Sequence, residues 1–292
     1  MKSNLKIILF IIIILFITLI LAYGVGYGDD NYSFIDSLAF KAWAIIFLIQ
    51  LIVFVPSFLF KTEFFFDLTG GITFLSTSIF LGLELIKGEQ NLINYRLIPL
   101  FLVVFWAVRL SAFLFLRIKK SGLDVRFNEI KKNFFRFLLT WTLQGFWVFM
   151  CMLPLLVIAA SKEPLNKVFL FAGISLWILG WLIEIISDTQ KTIFNSDPNR
   201  KGKFISTGLW SISRHPNYFG ELVLWIGITV IAFPTLNGLK YLALITPVFV
   251  YLLLKNVSGV NLLEKSAEKK WGKEEEYQIY KNNTPVFFPK IF

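Results

Sequence analysis

The chain has 292 residues, 56% of them hydrophobic, 17% aromatic and only 16% charged, with a formal net charge of +10. Soluble domains carry about 25% charged residues, so this composition excludes an ordinary soluble domain and points to one helical bundle in a bilayer. The basic residues crowd into particular loops, which reads as membrane orientation and not as nucleic-acid binding. The single cysteine, Cys151, lies in an apolar run. It excludes an intramolecular disulfide and any cysteine-based metal motif, and it reads as a small buried hydrophobe.

Leu5 to Ala22 is almost wholly apolar and follows Lys2 and Lys6. A secretory signal shares that basic start. This run is too long for a signal's apolar region, and no clear small-x-small cleavage site follows, so it is read as a retained first span. Tyr23 to Ser37 carries Asp29, Asp30 and Asp36 without Lys or Arg, and its Gly24 to Gly28 run reads as a flexible helix exit. Leu38 to Phe60 is the second span, with Lys41 near its entry and Pro56 as a kink near its exit. Phe64 to Ile86 is the third, opening on Asp67 and Thr69, then Gly70 and Gly71. Leu97 to Leu116 is the fourth and carries Arg109, which inside such a run faces protein or water, not lipid.

Arg117 to Arg136 holds seven basic residues against Asp124 and Glu129. Phe137 to Ala160 is the fifth span, with Gln144 inside it, and Val168 to Ile186 is the sixth, with Glu184 near its end. Asp188 to Pro216 reads as a long polar segment, with turn chemistry in NSDPNRKGK. Asn217 to Phe233 and Leu239 to Leu254 are the last two spans, and the charged tail contains a stretch suited to an amphipathic helix at the membrane surface. The expected fold is thus an all-α, polytopic membrane bundle of about seven to eight transmembrane helices. The long basic segments after spans four and six, the tail and Lys2/Lys6 fall on one side, and the acidic Asp29/Asp30/Asp36 loop falls on the other. The positive-inside rule then places both chain ends in the cytoplasm.

Chemistry concentrates in Ser206 to Glu221, STGLWSISRHPNYFGE, which holds the only histidine, His215. Arg214, Asn217, Tyr218 and Glu221 surround it at the mouth of an apolar span, an expensive place for polar groups. Pro216 marks a helix start, whose free N–H groups favour an anionic ligand. Arg126, Lys191, Arg200, Lys201, Lys203 and Arg214 suit phosphates, or else they enforce topology and bind anionic lipid. Glu184 and Asp188 share a helical face, either as a water-exposed carboxylate pair or as a grip on hydroxyls. Asp67 and Arg109 read either as an ion pair or as donors and acceptors for a substrate carbonyl.

GLWSISRHPNYFGE, the earlier SGLDVRF and IEIISDTQK, and the terminal TPVFFP together resemble the bacterial branch of the steroid 5α-reductase C-terminal family. The resemblance runs from about Asp67 to the end, and it sets N-terminal transmembrane helices over 1–60 against a reductase-like membrane domain over 61–292. It implies a multi-pass protein of the bacterial inner membrane with NADPH bound on the cytoplasmic side and no metal. The hydrophobic substrate would enter from the bilayer, membrane lipids would be the other partners, and an enone double bond would be reduced. Residue by residue it implies Gly122, Arg126, Asp188, Asn217, Tyr218 and Glu221 as cofactor contacts, and Asp124, Lys191, Arg214 and His215 complete the expected cofactor-binding set. The family grips the enone carbonyl with a Gln-Glu pair and a Tyr. This chain has neither at matching depth, and Asp67, Trp106 and Arg109 stand as its catalytic candidates. The RHPxYxG core is similar in the isoprenylcysteine carboxyl methyltransferases. The alternative is therefore an S-adenosylmethionine-dependent lipid or isoprenylcysteine-type methyltransferase, which gives Glu264 a role but SGLDVR none. A third reading is a non-enzymatic lipid binder.

Overall fold

A computed structural model describes residues 2–27, 33–88, 95–121, 127–161, 164–257 and 259–290. Among the described residues there is no strand, and eight helical segments are long and apolar enough to cross a membrane. The helices are α1 (Lys2–Gly26), α2 (Leu38–Leu59), α3 (Phe66–Gly88), α4 (Leu97–Ser121), α5 (Phe134–Ala160), α6 (Lys167–Ser196), α7 (Pro216–Ala232), α8 (Ile245–Leu252), α9 (Val260–Trp271) and α10 (Glu275–Asn283). The expected all-α membrane bundle is what the chain forms. The eighth apolar segment is not one regular helix: a 3₁₀ stretch over Gly238–Leu244 precedes α8, and a π-helical turn over Leu253–Val257 follows it.

Two sequence expectations need correction. The polar segment after the sixth span does not begin at Asp188, because α6 continues as helix to Ser196. Its last turns lose the apolar run but keep helix-forming residues, and packing of the following turn against them holds them helical. Glu184 is also not a water-exposed helix-end carboxylate: it is 3% exposed. The charged tail does form helices, α9 and α10, most of whose residues are exposed. Asp29 and Asp30 lie outside the described residues.

The chain divides into two compact units. The first comprises Met1–Asn166 with Ala232–Leu244. Its axis is α5, where every residue from Val148 to Ala159 is buried. A helix apolar all round belongs in the middle of a bundle, and α5 packs against α1, α2, α3 and the Gly238–Leu244 stretch. α1 instead shows one inward stripe, Ile14, Thr18, Leu21, Ala22 and Val25, while Leu9, Ile12, Ile13, Phe16 and Ile20 face out, as a lipid-facing helix requires. Thr18 ties α1 to α2: its hydroxyl donates to the Ile14 carbonyl and accepts from Trp43 Nε1, both at 2.9 Å. α2 starts where Ser37 caps it, accepting from the Phe40 amide at 3.2 Å. α3 and α4 cross closely where Gly71 abuts Ser111.

The second unit comprises Lys167–Ile231 with Ile245–Phe292. Its frame is an antiparallel contact of α6 and α7 made through glycine. Gly173 faces Gly227 and Gly180 faces Gly220, and a Cβ on Gly180 would lie 2.5 Å from the Gly220 carbonyl oxygen. Small residues let membrane helix backbones touch, so dispersion replaces the hydrophobic drive that lipid removes. This close contact sets the level at which the polar ends of α6 and α7 meet.

Candidate functional site

The polar knot around His215 is built by four segments of the second unit. The turn Gly208–Ser211 is fastened to the end of α6: Leu209 N–H donates to Gln190 Oε1 at 3.0 Å, and Trp210 Nε1 donates to the Ser187 carbonyl at 3.1 Å. Gly208 is needed there twice over, since its φ is +63° and a side chain would strike Gln190. Lys191 lies 4.6 Å above the Trp210 ring. Tyr280 on α10 donates its hydroxyl to the Trp210 carbonyl at 2.7 Å, and burial pushes that phenol well above the ordinary tyrosine range. The terminal TPVFFP has a comparable role. Arg214 N–H donates to the Pro285 carbonyl at 2.9 Å, and Ser213 Oγ donates to the Phe287 carbonyl at 2.9 Å while accepting from the His215 amide at 3.2 Å.

His215 then caps α7. Its carbonyl accepts from the Phe219 amide at 3.2 Å, and Pro216 occupies the first helical position, where the missing N–H costs nothing. The imidazole stacks on Tyr218 with ring centres 5.7 Å apart. Gly259 permits this, because a Cβ there would lie 2.6 Å from the Tyr218 ring.

One carboxylate holds both basic residues of the motif. Glu264 on α9 meets Arg214 Nη1 at 2.6 Å and His215 Nε2 at 2.8 Å. Arg214 and His215 have side chains only 9% and 7% exposed. Burial is the largest influence on His215 and pushes it below the ordinary value of 6.5, against the pull of Glu264; Lys191 and Arg214 add to the depression. Burial therefore favours the neutral imidazole. Its proton sits on Nε2 and donates to the carboxylate, which makes Nδ1 an acceptor. Neither His215 Nδ1 nor Arg214 Nε has a hydrogen-bond partner among the described residues, and both are buried. The described residues thus leave one acceptor and one donor unsatisfied side by side, a pair that a ligand can match. Beside them Asn217 Nδ2 donates to Asp188 Oδ1 at 3.1 Å, joining α7 to α6. Glu221, one turn on, is buried.

Because the depressed pKa belongs to the folded state, its contribution to stability is fully present above the unfolded value near 6.5. It is lost as pH falls from there through the lower folded value, since the unfolded chain takes up the proton first. Thermal midpoints measured against pH are expected to drop over that range in the native chain. The drop is expected to be smaller in His215→Gln, and equal slopes would contradict the neutral-histidine assignment.

The structure brings Asp188, Lys191, Arg214, His215, Asn217, Tyr218 and Glu221 into one unit. Gly122, Asp124 and Arg126 lie outside the described residues. Asp67, Trp106 and Arg109 belong to the first unit. Asp67 is half-buried in the first turn of α3, Arg109 is half-buried in the middle of α4, and Trp106 is wholly buried, edge-on to Phe74 at 5.3 Å. Gln190 was absent from the expected contacts, and Glu264 entered them only through the methyltransferase alternative. A buried Arg-His pair demands a carboxylate, and Glu264 sits in the first turns of the tail helix after the last apolar residues. Among the described residues no group of three or more His, Cys, Asp or Glu side chains is arranged to hold a metal.

Two comparisons bear on this geometry. Residues 53–284 match the family described as "Protein of unknown function (DUF1295)". The chain is also similar to a probable O-methyltransferase, UstE, of Ustilaginoidea virens, at 27% identity over 81 residues. That match spans 28% of this chain and 28% of the relative.

Proposed function

Since the chain belongs to the DUF1295 family, a membrane family of steroid 5α-reductase-like proteins, we propose that it is a membrane enzyme whose second unit binds an adenosine-bearing cofactor for methyl transfer. The observation that carries this is the Glu264 carboxylate shared by Arg214 and His215. Arg214 is already neutralised, so it is poorly placed to clamp phosphates. Glu264, Asp188, Glu221 and Glu184 give this part of the unit more carboxylates than the two cations Arg214 and Lys191. A cofactor with a sulfonium and an ammonium group suits such surroundings better than one with several phosphates. The similarity to a probable O-methyltransferase supports the same reading.

S-adenosylmethionine, if bound, would supply an electrophilic methyl group for a substrate oxygen. The chain's own residues hold and orient. Arg214 Nε–H is a single donor for a neutral acceptor of the cofactor, a ribose oxygen or an adenine nitrogen. His215 Nδ1 is an acceptor for a ribose hydroxyl or the ammonium. Asn217 and Asp188 extend the polar surface, and the Tyr218 ring supports the imidazole.

The second reading, hydride transfer from NADPH to an enone, keeps its own support. The family is reductase-like, and Arg200, Lys201 and Lys203 are exposed on the turn after α6, where phosphates could meet them. Both readings place the cofactor side in the cytoplasm by the distribution of basic loops.

Purified protein heated with each compound separates the two. S-adenosylmethionine at about 100 times its Kd is expected to add about 2.7 kcal/mol of apparent stability, and NADPH none. A shift with NADPH alone would transfer the assignment to the reductase reading, and no shift with either would remove both.

A further inference from the structure

The first unit holds a buried polar cluster that takes no part in the site around His215. Gln50 on α2 is 2% exposed and Gln144 on α5 is 6% exposed. Gln50 Nε2 donates to Thr73 Oγ1 on α3 at 2.9 Å, and that hydroxyl uses its own proton on the Thr69 carbonyl at 2.7 Å. Gln144 Nε2 donates at 2.9 Å to the Phe66 carbonyl, which can only accept. Both amide orientations are thereby set by their partners. The two amide oxygens are left buried and without a hydrogen-bond partner among the described residues, and the indole N–H groups of Trp141 and Trp147 on α5 are in the same condition.

Gln50, Gln144 and Trp147 lie where α2, α3 and α5 meet. A Cβ on Gly145, next to Gln144, would lie 3.2 Å from Gln50 Cγ. A Cβ on Gly70, one turn before Thr73, would lie 3.0 Å from Gln144 Nε2 and 3.6 Å from the Trp147 ring. Glycine at both positions keeps side-chain bulk out of the cluster. Trp141, Gln144 and Trp147 recur every third residue and share one stripe of α5.

Unmatched polar groups at this depth in a membrane protein are costly, and a ligand that matches them recovers the cost. Amide oxygens need a donor and indole N–H groups need an acceptor. A hydroxyl is both, a carbonyl or ether is an acceptor alone, and a hydrocarbon is neither. None of these side chains is ionised, so a charged headgroup would arrive without a counter-ion. We propose that the Gln50–Gln144–Trp147 cluster binds the hydroxyl of an otherwise apolar substrate, a lipid alcohol. The inference goes beyond the methyl-transfer reading: it concerns the first unit alone and stands without it.

The test uses the full chain in nanodiscs of dioleoylphosphatidylcholine, a lipid without a hydroxyl. Thermal midpoints are followed by tryptophan fluorescence with 1-hexadecanol, its methyl ether and hexadecane added at equal mole fraction. The alcohol is expected to raise the midpoint and to bind about tenfold more tightly than the ether, as one hydrogen bond allows. In Gln50→Met and Gln144→Met that preference is expected to vanish. Equal shifts with alcohol and ether, or no shift with either in the native chain, would overturn the proposal, and neither outcome depends on the variants folding. S-adenosylmethionine added to the same discs keeps the two claims apart. A shift with the cofactor but not the alcohol removes the hydroxyl site and leaves the methyl-transfer reading. A shift with the alcohol but not the cofactor does the reverse.

Discussion

Glu264→Gln is expected to destabilise the folded chain by about 2–3 kcal/mol and to weaken S-adenosylmethionine binding roughly 30-fold. The substitution keeps size and shape but removes the charge that Arg214 and His215 share at 2.6 and 2.8 Å. Breaking a buried ion pair by removing one partner costs about 3–5 kcal/mol, because the other charge stays buried without compensation. The lower figure applies here because the Glu264 side chain is 23% exposed and water reaches part of the vacated position. Measurement is by thermal unfolding and by cofactor titration. A companion set, Arg214→Met, Glu264→Met and the double variant, separates charge from packing. If the carboxylate serves the cation, the double variant is more stable than the sum of the singles predicts. Unchanged stability and unchanged affinity in Glu264→Gln would mean that the shared carboxylate neither supports the fold nor prepares the site.

Gly180→Ala is expected to cost about 3 kcal/mol or more, although alanine is the better helix former by about 1 kcal/mol. The added methyl would lie 2.5 Å from both the Gly220 carbonyl oxygen and the Leu224 amide nitrogen, so two helix backbones must part. The polar ends of α6 and α7 are carried by that crossing, and the Asn217–Asp188 hydrogen bond is expected to go with it. Gly82→Ala is the matched control. Its Cβ would meet only Leu97 Cδ2 at 3.7 Å and Leu100 Cδ1 at 3.9 Å, ordinary contact, so propensity alone is expected to act and stability to hold or rise slightly. Thermal midpoints of the two variants read the difference directly, and equal effects would show that the glycine contact is not what sets the helix separation.

Much of the architecture was legible because a bilayer imposes length and hydropathy on every span. α2, α4 and α7 begin within a residue of the expected positions. The polar ends were less legible. α6 runs ten residues past Ile186 to Ser196, because Trp210, Gln190 and the Gly208 turn hold those turns, and no local apolar signal reports that support. For the site, the RHPNYFG cluster announced itself by density of polar residues at a helix mouth. Its carboxylate was named only through the methyltransferase resemblance, not by a local signal. Glu264 is one of several Glu residues in a charged tail, and only folding places it against Arg214 rather than a surface lysine. Glu268, one turn on, pairs instead with the half-exposed Lys281 at 2.6 Å.

Read alone, the sequence determined the class of the protein, an all-α membrane bundle with one dense polar knot, because hydropathy and the cost of burying charge act residue by residue. Tertiary structure alone decided what the knot is. It gave Arg214 and His215 a common carboxylate, left one donor and one acceptor unmatched, and exposed a second polar cluster through Gln50 and Gln144. Those outcomes depend on which residues from distant segments meet, and hydrogen bonding is settled only when the partners are in place.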